Sequence, residues 1–252
     1  MIDEDIPLQT DFGYEWVDWD AKQKLVNEVF WSVADDYDQM NDIMSLGLHR
    51  IWKREAVALS LVRPGDKVLD LASGSGDLAY LFFKKVGLFG QVLMTDINNS
   101  MLSVGRQKFE DRGEMTRMLY ALVNAEKIPC ADNVFDVVSI GFGLRNVRDK
   151  TEALKEMYRV LKPGGRLIVL EFSKPIVSLL SRLYDLYSFN LLPQFGKWIA
   201  KDEHSYRYLA ESIRRHPDQP TLGRMIKDAG FDRVMWFNLS AGIVAVHRGY
   251  KY

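Results

Sequence analysis

The sequence predicts an α/β domain built on a mostly parallel sheet of seven strands. Short β-like runs alternate along the chain with helical stretches, a pattern typical of a parallel sheet covered by helices on both faces. The last two runs are separated too closely for a crossover helix, so they predict an antiparallel hairpin. The chain has 252 residues, 47% hydrophobic and 27% charged, and is therefore long and apolar enough to bury a large core.

The β-like runs mark the strands in chain order, and helical periodicity fills the gaps between them. The helix that ends in "RVLKPGG" has a basic last turn followed by proline and glycines, which are common helix stop signals. The predicted strands cover residues 67–72, 90–97, 117–123, 134–142, 165–172, 233–239 and 241–249. The predicted helices cover residues 77–85, 100–111, 150–161 and 221–229.

Two segments lie outside this alternation. Residues 1–60 form a predicted helical N-terminal arm, with helical periodicity over residues 20–60, and residues 61–252 form the sheet domain. Residues 173–218 are an aromatic-rich insertion after the fifth strand, and long insertions at the carboxyl end of a parallel strand usually shape a binding site. We expect the insertion to cap a substrate, although a helical pair that only covers the sheet edge would have the same pattern.

Charge and cysteine content exclude several classes of protein. The net charge is −1, so no basic field indicates nucleic-acid binding. The single cysteine excludes an internal disulfide and a cysteine-built zinc site, and the four histidines lack ligand spacing, so we expect no metal. The acidic N-terminus has neither a secretory nor a mitochondrial pattern, which favours the cytoplasm. No apolar run reaches the length of a spanning helix, so the uncharged residues 186–196 predict peripheral membrane contact at most.

The glycine loop after the first predicted strand is the main candidate binding site. Residues 74–79 read Gly-Ser-Gly-Asp-Leu-Ala, which matches the dinucleotide pattern G-x-G-x-x-G/A, a weak signal alone. Asp77 at the helix start would repel a pyrophosphate, and Asp70 adds a second negative charge. Bare backbone at Gly74 and Gly76 lets a ligand approach closely. These charges favour a cationic, phosphate-free nucleoside, S-adenosylmethionine; a tight strand-to-helix turn and an NAD-binding oxidoreductase are the alternatives.

Two further strand ends extend this candidate site. Asp96 closes the second predicted strand, where nucleoside-binding sheets place an acceptor for ribose hydroxyls. Asn124 and Ala125 close the third, where a side-chain amide and a backbone N–H would read the adenine edge. A polar loop between strand and helix would have the same composition.

Four blocks of sequence resemble the ubiquinone/menaquinone biosynthesis C-methyltransferases, from about residue 12 to the end of the chain. They are "VADDYDQMNDIMSLGLHRIWKRE" (33–55), "LDLASGSGDL" (69–78), "GFGLRNVRDKTEALKEMYRVLKPGGRLIVLEFSKP" (141–175) and residues 204–219. The resemblance implies a class I methyltransferase (Rossmann-like) fold and S-adenosyl-L-methionine as cofactor. It also implies methylation of a ring carbon of a polyprenylated quinol, 2-polyprenyl-6-methoxy-1,4-benzoquinol or demethylmenaquinol.

The resemblance carries cofactor contacts onto Ser75, Asp96, Asn124, Ala125 and Gly141. This chain departs from the family at two of these positions. The usual glycine loop "GGTG" reads "SGSG" here, and Ser75 keeps the hydroxyl. Relatives commonly have serine where this chain has Gly141, so only the backbone can make a contact there.

Methylation of a quinol carbon needs a base or a positive partner, because a phenol with a pKa near 10 is protonated at neutral pH. Arg145, which follows the fourth strand, is the candidate that stabilises the phenolate through a water, with Asn146 orienting the substrate. The alternative is that Arg145 pairs with a local acid such as Asp149. His49, in the arm, is the second candidate base or else a structural group, and Tyr206 of the insertion is a candidate substrate contact.

These inferences predict a bacterial cytoplasmic enzyme in contact with the inner membrane, with a quinone-biosynthesis complex and a second copy of the chain as candidate partners. A non-enzymatic scaffold of such a complex is the rival interpretation. The intact set of Gly74, Gly76, Asp96 and Arg145 favours a working pocket over a scaffold.

Overall fold

A computed structural model of the chain describes residues 9–32, 41–42, 45–114, 118–176 and 203–252. Its main feature is a seven-stranded sheet with the order β5-β4-β3-β6-β7-β9-β8, in which β9 runs antiparallel to the other six strands. A separate two-stranded hairpin precedes it. The strands are β1 (Gln9–Phe12), β2 (Glu15–Asp18), β3 (Lys67–Leu71), β4 (Gln91–Asp96), β5 (Met118–Leu122), β6 (Phe135–Gly141), β7 (Leu161–Phe172), β8 (Asp232–Leu239) and β9 (Val244–Tyr250).

All seven predicted strands of the sheet and the four predicted helices are confirmed, including the antiparallel C-terminal pair. Short 3₁₀ turns at Leu144–Asn146 and Ser240–Gly242 follow β6 and β8. The described helices are α1 (Ala21–Ser32), α2 (His49–Leu59), α3 (Asp77–Val86), α4 (Asn99–Asp111), α5 (Lys150–Val160), α6 (Glu203–Arg215) and α7 (Gln219–Asp228).

Side-chain caps set where several helices begin. The Asn98 side chain accepts hydrogen bonds from the backbone N–H groups at the start of α4, and Asp149 and Asp218 do the same for α5 and α7. These side chains satisfy N–H groups that have no partner inside the helix. The start of α7 at Gln219, two residues before its predicted start, follows from the cap at Asp218.

Two apolar layers cover the two faces of the sheet. Alternate strand residues such as Val68 and Leu69 point to opposite faces, as the two-residue period of a strand requires. The first layer packs the sheet against α2, α3, α4 and α6, and the second packs it against α5 and α7. Both faces are therefore dry, which explains why the strand sequences are almost continuously apolar.

The segment "LKPGG" forms part of a strand. α5 ends at Val160, and β7 begins at once with Leu161. The pairing of β6 with β7 then jumps from Phe135–Leu161 to Val137–Arg166, so the proline and glycines form a bulge on β7. Gly164 has a φ of +81° in this bulge, a backbone conformation that suits glycine.

The N-terminal arm starts with the hairpin β1–β2, which the periodicity does not predict, and continues into α1. Phe12 of β1 stacks on Tyr208 of α6 with ring centroids 4.3 Å apart, and Val26 and Val29 of α1 complete this small cluster. The hairpin is thus fixed to the end of the insertion. The middle of the insertion, residues 177–202, lies outside the described residues, as does the candidate membrane contact at residues 186–196. In the described ranges, no helix is long and apolar enough to cross a membrane.

Candidate active site

Two clefts meet at the carboxyl ends of β3 and β6. These neighbouring strands lie where the sheet order reverses, since the chain passes from β3 to β4 on one side and returns to β6 on the other; open α/β sheets bind ligands at this point. The first cleft has about 680 Å³ of space and the second about 440 Å³, both open to solvent. Ala72 and Phe142 line both clefts and therefore form their shared wall.

The shared wall has an unusual backbone. Ala72 and Phe142 have φ values of +49° and +56°, a region that residues other than glycine rarely adopt. A side chain on Gly143 would place its Cβ 2.5 Å from Cβ of Ala72, so the two loops approach as closely as a glycine allows. Such conformations persist only where the surroundings hold them in place, and they are frequent at binding sites.

The glycine loop is held against the end of β4 by its backbone. The N–H of Gly74 donates to Oδ2 of Asp96 over 2.9 Å, and the N–H of Gly76 donates to the carbonyl of Ser73 over 2.9 Å. Gly76 caps α3 with a φ of +82°, and a Cβ there would lie 3.0 Å from Sδ of Met94. The sequence therefore uses glycine at this position because both the φ value and the packing require it.

Asp96 lies in the first cleft, and each of its carboxylate oxygens accepts a backbone hydrogen bond. Oδ1 accepts from the N–H of Asn98 over 2.9 Å, and Oδ2 accepts from Gly74. Burial raises the pKa of Asp96, while these backbone donors oppose the rise. Each oxygen keeps a second lone pair, so Asp96 can still accept hydrogen bonds from a diol.

Asn124 and Ala125 line the same cleft, opposite α1. Oδ1 of Asn124 accepts from the N–H of Glu126 over 2.9 Å, so this oxygen closes the turn and is not directed to a ligand. In the described part of the chain, the N–H of Ala125 makes no hydrogen bond. The structure brings Asp96, Asn124 and Ala125 together as predicted, and α1 adds a wall that the sequence did not predict, formed by Gln23, Val26, Asn27 and Phe30.

Asp70 lines the second cleft and is completely buried. It points to the face of β3 that the alternation assigns to apolar residues, and Ser139 on the neighbouring strand β6 donates to its Oδ1 over 2.5 Å. Its Oδ2 has no hydrogen-bond partner among the described residues. Burial raises the pKa of Asp70 to about 6, opposed by the hydrogen bond from Ser139; the Ser73 hydroxyl donates to the backbone carbonyl of Asp70. A buried carboxylate oxygen with a free lone pair is suited to bind a cationic ligand group.

Ser75 and Gly141 also line the second cleft, and their contact with the cofactor stays a prediction. The Ser75 side chain is buried there. A Cβ on Gly141 would lie 2.9 Å from Cδ2 of Leu78, so any larger residue at this position requires Leu78 to move. The cofactor residues inferred from the sequence are thus divided between the two clefts, except Gly76, which is not among the described lining residues of either cleft.

Asp77 does not present an uncompensated charge, contrary to the prediction. Nζ of Lys53 lies 2.8 Å from its Oδ2, and Nζ of Lys108 lies 3.7 Å from its Oδ1. Burial alone would raise the pKa of Asp77, but attraction and a hydrogen bond from Lys53 hold it below its usual range. The negative charge that favours a cationic ligand therefore comes from Asp70 and Asp96.

Arg145 forms a buried ion pair with Glu171 of β7, with Nη1 3.2 Å from Oε2. The same nitrogen donates to the carbonyl of Phe142. The alternative interpretation, that Arg145 pairs with an acid, agrees with this structure, but the acid is Glu171 and not Asp149, which accepts from the N–H of Glu152 and caps α5. The described residues that line the first cleft include the neighbouring Asn146 but not Arg145. The catalytic role of Arg145 stays a prediction.

The two predicted substrate residues have different surroundings. Asn146 lines the first cleft, and its Oδ1 accepts from the hydroxyl of Tyr208 over 3.0 Å. Tyr206 is only 2% exposed and packs in the first apolar layer, away from the described lining of both clefts. On this structure Tyr206 supports the core, and Tyr208 is the tyrosine of α6 that reaches a cleft residue.

His49 lines the second cleft at the start of α2. Its Nε2 lies 2.8 Å from Oδ1 of Asp42, and its Nδ1 has no partner among the described residues. Burial lowers the pKa of His49, which the hydrogen bond to Asp42 opposes, so the ring is neutral at pH 7. Asn41 of the N-terminal arm also lines this cleft.

Three residues of the site were missed by the sequence reasoning. Glu171 is a single charge inside the apolar strand "LIVLEF", a signal that a buried partner must exist. Lys53 follows His49 by four residues on α2 and therefore lies on the same helix face. Phe142 carries no sequence signal for its positive φ.

This sheet order, with a glycine loop after β3 and an acid at the end of β4, defines the class I methyltransferases, which bind S-adenosylmethionine. A SAM-dependent methyltransferase from Aquifex aeolicus superimposes with a TM-score of 0.61 at 18% identity, covering 85% of this chain and 98% of that chain. One from Thermotoga maritima gives a TM-score of 0.63 at 20% identity, covering 89% and 99%. These likenesses establish the fold.

The chain belongs to the ubiE/COQ5 methyltransferase family, whose profile matches residues 18–251. A relative from Francisella tularensis subsp. novicida is 59% identical over 243 residues, covering 96% of this chain and 97% of the relative. One from Serratia proteamaculans is 58% identical with the same coverage. Both relatives are named ubiquinone/menaquinone biosynthesis C-methyltransferase. Family membership confirms the predicted fold class, the methyltransferase activity and S-adenosylmethionine as cofactor.

Proposed function

We propose that the chain methylates a ring carbon of a polyprenylated quinol, a benzoquinol or a naphthoquinol, in ubiquinone or menaquinone biosynthesis. The observation that carries this proposal is the 59% identity to a C-methyltransferase of these pathways over almost the whole chain. The residues at the carboxyl ends of β3, β4 and β6 fit a nucleoside with a cationic amino-acid end. S-Adenosylmethionine, when bound, supplies an electrophilic methyl group.

The two clefts would divide the cofactor between them. Asp96 would accept hydrogen bonds from the ribose hydroxyls, and the N–H of Ala125 would donate to the adenine edge beside Asn124. Asp70, whose Oδ2 has no partner among the described residues, would accept from the ammonium group in the second cleft. The shared wall of Ala72 and Phe142 would then lie against the middle of the ligand, where the reactive centre is.

Alignment of the quinol carbon with the methyl group, and removal of a phenolic proton, are the remaining tasks of the protein. Arg145 would lower the energy of the phenolate by its positive charge, through a water that takes the proton, and Asn146 would orient the ring. His49, neutral at pH 7 and with Nδ1 unpartnered among the described residues, is the second candidate to take the proton. Positioning contributes more of the rate than either group, since effective molarities of well-oriented reactants are worth about 7–11 kcal/mol.

The polyprenyl tail of such a substrate is apolar and resides in a membrane. We therefore infer that the enzyme works in the bacterial cytoplasm at the surface of the inner membrane, through residues 186–196 of the insertion. Assembly into a quinone-biosynthesis complex and formation of a dimer belong to the same proposal. Co-sedimentation with vesicles of the bacterial inner-membrane lipids, with and without residues 186–196 made polar, would test the contact.

A methyl-transfer assay with reduced benzoquinol and naphthoquinol substrates tests the proposed reaction. Because Arg145 is paired with Glu171, Arg145→Ala leaves a buried acid without a partner, so Arg145→Lys is the matched variant that keeps the charge. Both variants should lower kcat far more than they weaken binding of the cofactor, and Arg145→Lys should lose less. Equal losses of kcat and cofactor affinity would remove Arg145 from the proton step. A pH–rate profile unchanged by His49→Gln would remove His49.

A further inference from the structure

The second cleft contains one permanent cation among the described residues that line it, Lys53 of α2. Its side chain is only 12% exposed, and it lies four residues after His49, so both side chains extend from one face of the helix into the cleft. Asp70 lines the same cleft, and the positive charge of Lys53 opposes the rise in the pKa of Asp70 that burial causes. The cleft is thus lined by both an acidic and a basic side chain.

The amino-acid end of S-adenosylmethionine carries an ammonium and a carboxylate on the same carbon atom. A site for such a group needs a negative and a positive partner a few ångströms apart. Asp70 provides the negative partner. Asp77 is not a second one, since Lys53 and Lys108 neutralise it. The other described lining residues, among them Asn41, Ser73 and Ser75, carry no permanent positive charge, so Lys53 is the cationic partner available to the carboxylate among the described residues.

We propose that Lys53 binds the carboxylate of the cofactor's methionine moiety and thereby selects a complete amino-acid end. This inference rests on the proposed function and adds a residue to it. The ammonium of Lys53 has three donors, and Asp77 accepts one of them, so two remain for a ligand. Asp77 keeps Lys108 as a partner when Lys53 turns towards the cofactor. A charge-assisted hydrogen bond in a partly dry cleft stabilises a carboxylate strongly.

The alternative role of Lys53 is structural, as a partner of Asp77 at the start of α3. The two roles differ in what the ligand must carry. A structural lysine affects every nucleoside ligand equally, because it acts through the glycine loop and α3. A carboxylate-binding lysine affects only ligands that have the carboxylate. Decarboxylated S-adenosylmethionine keeps the sulfonium and the ammonium but lacks the carboxylate. It therefore distinguishes the structural role of Lys53 from the carboxylate-binding role.

Isothermal titration calorimetry of S-adenosylmethionine and its decarboxylated analogue tests the proposal on four proteins: the natural chain, Lys53→Met, Lys53→Arg and Lys108→Met. In the natural chain, removal of the carboxylate should weaken binding about 10- to 100-fold, the range for a hydrogen bond to a charged group. Lys53→Met should lower the affinity for S-adenosylmethionine by a similar factor. It should leave the affinity for the analogue within about threefold of that of the natural chain. Lys53→Arg should recover most of the loss, since it keeps the cation.

Lys108→Met is the matched control, because Lys108 also pairs with Asp77 but does not line the cleft. It should leave the affinity for both ligands close to that of the natural chain. The inference is overturned if Lys53→Met weakens both ligands by the same factor, or weakens neither. If the natural chain binds neither ligand, the proposed function itself fails. Melting curves of all four proteins distinguish a loss of binding from a loss of folding.

Discussion

Nη1 of Arg145 lies 3.2 Å from Oε2 of Glu171, and the two side chains are 4% and 1% exposed. Glu171 also accepts hydrogen bonds from the backbone N–H groups of Arg145 and Phe172. The pair therefore fixes the 3₁₀ turn after β6 to the end of β7, and with it the position of Asn146 in the first cleft. Two charges at this depth are tolerated because each neutralises the other.

We predict that Glu171→Gln destabilises the protein by about 3–5 kcal/mol, because it leaves the Arg145 charge buried without a partner. Glutamine keeps a single acceptor oxygen, whereas the N–H groups of Arg145 and Phe172 donate to different oxygens of Glu171, so the loss combines the charge with one backbone hydrogen bond. Glu152→Gln is the control, since Glu152 forms an exposed pair with Lys155 and should cost less than about 1 kcal/mol. Urea unfolding measures both. Equal, small losses in the two variants would show that the buried pair has no special role.

We predict that Asp70→Asn stabilises the free protein at pH 7.5. Burial raises the pKa of Asp70 from its ordinary value of 3.8 to about 6, so the folded state binds the proton more tightly than the unfolded chain does. Stability from this group is therefore highest at low pH and falls as pH rises from about 4 to about 6. The substitution should add about 1–3 kcal/mol above pH 6, and the gain should shrink towards pH 5. Urea unfolding at pH 7.5 and 5 checks this, and a loss of stability at pH 7.5 would contradict it.

The affinity for S-adenosylmethionine should fall as pH decreases from 7 to 5. Protonation of Asp70 below about pH 6 removes the negative partner of the ammonium group. The affinity should therefore fall by up to about tenfold per pH unit. Asp70→Asn should bind more weakly at pH 7 and should lose most of the pH dependence. Calorimetric titrations across this range measure both effects. If Asp70→Asn keeps the full pH dependence, the titrating group is another one, with Asp96 the first candidate.

A methyl group on Gly143 should disturb the shared wall of the clefts. Gly143→Ala places a Cβ 2.5 Å from Cβ of Ala72, and relief of this contact should cost about 1–3 kcal/mol and weaken cofactor binding. Ala72→Gly removes the opposing Cβ, and Ala72 has a φ of +49° that glycine adopts freely. The double variant should therefore regain stability and affinity relative to Gly143→Ala. If the losses of stability and affinity in the double variant equal the sum of those in the two single variants, the contact between the two Cβ atoms is not their cause.

The main sheet could be predicted because its signals are local. Apolar runs of strand length alternate with amphipathic stretches, and buried strands on both faces leave little polar interruption. The boundaries were less certain, because caps such as Asp218 decide where a helix begins. The hairpin β1–β2 was missed since its four-residue strands show no strong pattern. Its stability comes from distant contacts, such as that of the Tyr14 N–H with Glu211 of α6 over 3.1 Å.

Site residues could be predicted where the residue type and its position at a strand end are enough to identify them. Asp96, Asn124 and Ala125 follow this rule, and all three line the first cleft. Pairing of charges was not predictable, because partners meet only after folding. Asp77 was expected to face the ligand uncompensated, but Lys53 from a helix 24 residues earlier neutralises it. The cofactor inferred from the charge of Asp77 was correct, although the protein itself compensates that charge. Asp70 and Asp96 provide the negative charge that remains for a ligand.

The most direct test of the proposed reaction follows a ¹³C-labelled methyl group from S-adenosylmethionine to the product. Purified protein is incubated with the labelled cofactor and a reduced polyprenyl benzoquinol or naphthoquinol, and the product is examined by NMR. The account predicts one label per product molecule, bonded to a ring carbon, with the chemical shift of an aryl methyl group. A label on oxygen, or no transfer to either quinol by folded protein that binds the cofactor, would contradict it.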